Sequence, residues 1–179
     1  MRLNIKFISR TALLLALTLV IQLGGFPQPL TGPGVNLMLI LSTIFAGPLA
    51  AVIIGSLTPI IAFVRGIMGF APLVPYIAIG NAVYVLGFYY TSYVLQKFFA
   101  KGVKRSKLLD LSFNALGLVF GAVLKFSVLS LSVKFFVEAP AKVAQAMQLP
   151  QLITALTGGA IALVVATAIE KAGAIKKAQ

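Results

Sequence analysis

The stretch from Gly24 to Pro48, GGFPQPLTGPGVNLMLILSTIFAGP, decides how many times this chain crosses a membrane. Pro27, Pro29 and Pro33 each remove a backbone donor and fix φ, and Gly24, Gly25, Gly32 and Gly34 surround them, so the pattern predicts a turn and no helix through it. Beyond it, Val35 to Ala46 reads as an apolar helix of about 18 Å at about 1.5 Å per residue, short of a bilayer core of about 30 Å. Two arrangements then compete at Gly47-Pro48. A kink in one helix from Val35 to Val64 gives five spans, whereas a turn gives six, with short second and third helices.

The distribution of cations separates the two. Lys97, Lys101, Lys104, Arg105 and Lys107 crowd one loop, Arg2, Lys6 and Arg10 stand at the N-terminus, and Lys171, Lys176 and Lys177 at the C-terminus. Short loops rich in Lys and Arg stay cytoplasmic. Six spans put all three clusters, eleven of the fifteen cations, on that side, and five would put the densest cluster outside. The expected fold is therefore an all-α integral membrane protein: one transmembrane domain over residues 1–179, a six-helix bundle with both termini cytoplasmic and spans near 8–24, 35–46, 49–64, 74–94, 111–133 and 150–169.

Composition agrees with this. At 60% hydrophobic residues over 179 positions, six spans with tight loops use nearly the whole chain. Thr11 to Gly24 has no small-residue cleavage site, so the first apolar run reads as a retained helix and not a signal peptide. A net charge of +12 would suggest nucleic acid in a soluble protein. Here the cations flank apolar spans, where anionic headgroups and orientation account for them, and no nucleic acid is expected.

The residue types present narrow the chemistry. With no Cys and no His, disulfides, thiol nucleophiles and the usual zinc ligands are excluded, and no metal or cofactor is expected. Asp110, Glu138 and Glu170 fall at span ends or in loops, which argues against an interior proton relay. No nucleophile with a base, and no glycine-rich phosphate loop followed by Lys and Ser or Thr, can be found, so the chain reads as neither an enzyme nor an ATPase. Sodium coupling through carbonyls and hydroxyls stays open.

Candidate binding residues gather at the predicted outer half of the bundle. Lys125 lies about eight residues from the outer end of the fifth span, on a face shared with Asn114, Gly117 and Gly121. A lysine at that depth either faces a cavity or snorkels along its own helix to the headgroups. Asn81 and Tyr84 in span four reach the same level, as does Tyr76 above them. Arg65, at the end of span three, either anchors that helix or attracts an anion. Gln28, Thr31 and Asn36 either satisfy turn backbone or touch a ligand, and Gln151 and Thr154 either cap and pack span six or do the same. In span one, Ala12 and Ala16 share a face that permits close helix packing, either within this bundle or against a partner.

These features together resemble the substrate-binding S components of energy-coupling factor (ECF) vitamin transporters. The resemblance rests on six spans in about 180 residues, the Ala12-x-x-x-Ala16 pair, the Pro-rich first outer loop, the run VNLMLILSTIFAGPLAAVIIGSLTP, and the later PYIAIGNAVYVLG. It implies a multi-pass protein of the prokaryotic plasma membrane that captures a small water-soluble vitamin or related micronutrient from outside. Its implied partners are a transmembrane coupling subunit, EcfT, and two cytoplasmic ATPases. The resemblance further implies that Ala12 and Ala16 face the coupling subunit, and that Asn36, Arg65, Tyr76, Asn81, Tyr84, Lys125, Gln151 and Thr154 are positioned to line the site. Arg65, Lys125 and Lys134 against Glu138 favour an anionic or neutral polar solute over a thiamine-like cation; pantothenate, a pterin, biotin and nicotinate all stay open. Two other classes compete with this one: a stand-alone sodium-coupled carrier or facilitator, and a membrane scaffold that binds no small ligand.

Overall fold

In a computed structural model, residues 5–99 and 106–173 are described, and they form helices with no strand among them. Helix α1 spans Ile5–Leu23, α2 Gln28–Ala46, α3 Pro48–Val64, α4 Val74–Phe99, α5 Lys107–Leu131, α6 Ala141–Ala146 and α7 Leu149–Lys171. Five helical stretches are long and apolar enough to cross a membrane, and α3 is a shorter apolar helix. With α3 counted, this gives six apolar helices and the short α6 in the last connection. Of the residues on which the expected sidedness rests, Arg2, Lys101, Lys104, Arg105, Lys176 and Lys177 lie outside the described residues, as does the side chain of Gln28.

The break at Gly47 is the one the sequence turns on. Helix α2 ends at Ala46 and α3 starts at Pro48, with Gly47 at φ 94°, ψ 166° between them. That backbone region is open essentially to glycine alone. Pro48 then takes the first helical position, where its missing N–H costs nothing. The side chain of Arg10 on α1 donates to the Phe45 carbonyl at 3.1 Å, meeting one of the acceptors that the end of α2 leaves without an intrahelical donor.

The expectation for the second helix needs correcting. It begins at Gln28 and not at Val35, so Pro29, Gly32, Pro33 and Gly34 lie inside it, and its 19 residues reach about 28 Å at about 1.5 Å per residue. It is not short. Pro29 sits in the first turn, where no N–H is required, and the Pro27 carbonyl receives the N–H groups of Leu30 at 2.9 Å and Thr31 at 3.1 Å. In lipid an irregular backbone leaves polar groups with no water to bond, so a helix tolerates Pro and Gly there better than it would in water. The glycines serve close packing instead: a Cβ at Gly34 would lie 2.6 Å from Ile21 of α1, and one at Gly32 would lie 3.0 Å from Thr154 of α7.

Helices α2, α3, α4, α5 and α7 surround the core, in which Leu39, Ile40, Ile54, Tyr84, Val85 and Ala122 are fully buried. Helices α4 and α5 cross at close range. A Cβ at Gly121 would sit 2.5 Å from the Tyr84 carbonyl oxygen and 3.0 Å from the Phe88 nitrogen, so the two backbones meet with nothing between them. Helix α1 packs on α2 and α3 at the edge, with only 6% of its apolar window buried. Ala12 and Ala16 are on its exposed face beside Leu13, Leu17 and Val20, so packing within this bundle is not what they do.

Candidate functional site

The close approach of α5 to α4 fixes where Lys125 must go. Gly121 is one turn before it on the same face, so the lysine stem enters the α4–α5 seam and not the lipid. Lys125 is 3% exposed, and its ammonium donates to Asn36 Oδ1 at 2.7 Å and Asn81 Oδ1 at 2.8 Å. It also stands 5.5 Å from the centroid of the Tyr84 ring, within cation–π range. Lys125 therefore does not snorkel. It cross-links α2, α4 and α5 near one end of the bundle.

The two amides are held by neighbours that leave their oxygens for the lysine. Pro59 has no N–H to offer the Gly55 carbonyl one turn before it. The amide nitrogen of Asn81 fills that place, donating to the Gly55 oxygen at 2.8 Å. Asn36 donates through Nδ2 to the Gly32 carbonyl at 3.0 Å and, at 3.4 Å, to the hydroxyl of Thr154. With both nitrogens engaged, both oxygens face Lys125. Tyr84 is fully buried, and its hydroxyl donates to the Ala155 carbonyl at 2.8 Å, which pins the ring.

Beside this cluster is a cavity of about 270 Å³. Asn36, Asn81 and Lys125 form part of its wall, together with Gln22, Thr31, Thr58 and Gln151. Pro59, Ala62, Ile67, Met68, Ile77 and Met147 supply the apolar part. A mostly apolar wall with a few convergent polar groups is the usual form of a small-ligand site. Gln22 donates through Nε2 to the Thr58 carbonyl at 2.8 Å, and among the described residues its buried Oε1 has no partner. None of the chain's three carboxylates lines this space. A second cavity, of about 230 Å³, lies at the opposite end between the end of α2, the start of α5 and the end of α7. It is bordered by charges of both signs, Lys107, Asp110, Glu170 and Lys171, as helix ends in a membrane protein commonly are.

The structure brings together most of the residues singled out in the sequence. Asn36, Asn81, Tyr84 and Lys125 are in direct contact, Gln151 is in the cavity wall, and Thr154 braces Asn36 from behind. Two residues do not join them. Arg65 ends α3 on an exposed turn, and Tyr76 stacks on Phe136 with ring centroids 6.2 Å apart, and neither is in the cavity wall. One turn of helix separates Tyr76 from Gly80, but Asn81 rather than Tyr76 points between the helices. Gln22 and Thr58 were not among the candidate site residues. Their signal in the sequence was the polar side chain at the end of an apolar span and the Thr-Pro pair inside another.

A bundle of six apolar helices with a polar, cation-bearing cavity near one end defines a multi-pass membrane protein. The family model for the substrate-specific component of ECF transporters matches residues 6–170, and the chain belongs to that family. Comparison with curated proteins and with solved structures returns no match.

Proposed function

We propose that this protein captures a small water-soluble vitamin or related micronutrient in the cavity beside Lys125 and hands it to an EcfT subunit driven by two cytoplasmic ATPases. The observation that carries the reading is the buried Lys125, Asn36 and Asn81 cluster forming one wall of a ligand-sized space in a member of the substrate-specific family. An intramembrane cation held by neutral partners is expensive to keep unless it serves a site.

The cavity end faces outward in this reading, and the ends of α4 and α7 and the start of α5 face the cytoplasm of a prokaryotic plasma membrane. The clustering of eleven cations toward that side supports the sidedness. Docking uses the exposed face of α1 around Ala12 and Ala16, where small side chains let another helix come close. The protein performs no chemistry itself and relies on the partner ATPases for turnover.

Reconstitution tests this. Vesicles holding the protein with a coupling subunit and ATPases should accumulate the solute only with ATP. Uptake by the protein alone along a sodium gradient would establish the carrier reading instead, and a protein that binds no solute would be a scaffold.

A further inference from the structure

The charge on Lys125 has no counter-ion in the protein. Its partners, Asn36, Asn81 and the ring of Tyr84, are all neutral. The chain's three carboxylates are elsewhere: Asp110 and Glu170 border the cavity at the opposite end, and Glu138 is on the exposed connection before α6. A charge in a low-dielectric interior is stabilised poorly by amide dipoles alone and well by an ion of opposite sign at hydrogen-bond distance. The same cavity wall holds a second unmet group. Among the described residues no donor meets the buried Gln22 Oε1, and its orientation is set by the bond from Nε2 to the Thr58 carbonyl.

Taken with the capture reading, on which this rests, these two groups specify the solute. We infer that the ligand is a small organic anion, bearing a carboxylate or equivalent group that pairs with Lys125 and an N–H or O–H that donates to Gln22 Oε1. Lys125 supplies what an anion needs, and Gln22 supplies what a hydroxyl or amide needs. The space, about 270 Å³, falls just below the range of about 300–1,000 Å³ of drug-sized pockets, so the anion is compact. A cationic solute would meet Lys125 as a like charge with no carboxylate in the wall to offset it. The site thus selects by charge first and by hydrogen bonding second.

The test uses the full-length protein purified in detergent from its expression membranes. Mass spectrometry identifies any retained solute, and thermal stabilisation is measured with matched pairs: pantothenate and panthenol, biotin and biotinamide, nicotinate and nicotinamide. The expected result is a retained acid carrying an N–H or O–H, or stabilisation by the acid of a pair and not by its neutral partner. Lys125→Met should cost at least about tenfold in affinity for that acid, as expected when a charge-assisted hydrogen bond is lost. Asn81→Asp, which installs a carboxylate beside the ammonium in place of the amide that donates to Gly55, should also abolish binding of that acid. Gln22→Leu should weaken a donor-bearing acid and leave its preference over the neutral partner intact. Retention of a neutral or cationic solute, equal binding of acid and neutral partner, or full affinity in Asn81→Asp would overturn the inference while leaving solute capture standing. A protein that retains nothing and responds to none of the six compounds would overturn both.

Discussion

Asn81 donates its side-chain amide to the carbonyl of Gly55 at 2.8 Å, in the place where a helical N–H would stand if residue 59 were not proline. That substitution of a side chain for a backbone donor links α4 to α3 and turns the Asn81 oxygen toward Lys125. A defect in one helix thus helps set the geometry of a site on three others.

Pro59→Ala should therefore weaken ligand binding without unfolding the protein. The Gly55 carbonyl already accepts from Thr58 Oγ1 at 3.3 Å as well as from Asn81, so a restored N–H competes for an occupied acceptor. Loss of one oriented hydrogen bond predicts roughly a three- to tenfold drop in affinity. Titration of the retained solute against the variant checks this, and unchanged affinity would show that Asn81 is oriented by other means.

Gly121→Ala places a methyl group 2.5 Å from the Tyr84 carbonyl, a backbone atom that cannot swing aside. The expected cost is about 1–3 kcal/mol of stability from overpacking, read as a lower unfolding temperature in detergent. Binding should fall as well, because α5 carries Lys125 one turn further on.

Gly47→Ala should destabilise the α2–α3 junction by about 1–3 kcal/mol, since φ of 94° is unfavourable for any residue with a Cβ. Arg10→Ala, which removes the 3.1 Å bond to Phe45, should loosen the same end by a smaller amount. Thermal unfolding of both variants, ranked against the parent, measures the difference.

Ala12→Leu with Ala16→Leu should leave solute binding unchanged, because both residues are on the exposed face of α1 and neither is in the cavity wall. Bulky side chains there should abolish co-purification with the coupling subunit. Retained co-purification would move the docking surface to another part of the bundle.

The sequence was informative where a single local rule dominates. A run of apolar residues long enough to span lipid has few alternatives to a helix, and Gly47 followed by Pro48 marked the α2–α3 break because only glycine takes that backbone. Lys125 drew attention because an ammonium among apolar residues is costly at that depth. At Pro29 and Pro33 the turn rule fails, because it holds where water can bond the freed backbone groups, whereas α2 closes into a helix through both prolines.

What the residues determined alone was the number of apolar helices, six, and the absence of any acidic or imidazole group able to neutralise Lys125 within the bundle. Which side chains meet that lysine was decided by the tertiary structure. Asn36 and Asn81 lie 89 and 44 positions before Lys125 in the chain, and the glycine-lined crossing of α4 and α5 and the carbonyl released by Pro59 bring them to it. The physical reason is that an apolar span has no preferred rotation in lipid. Its facing is chosen by close packing and by the few polar groups that must find one another.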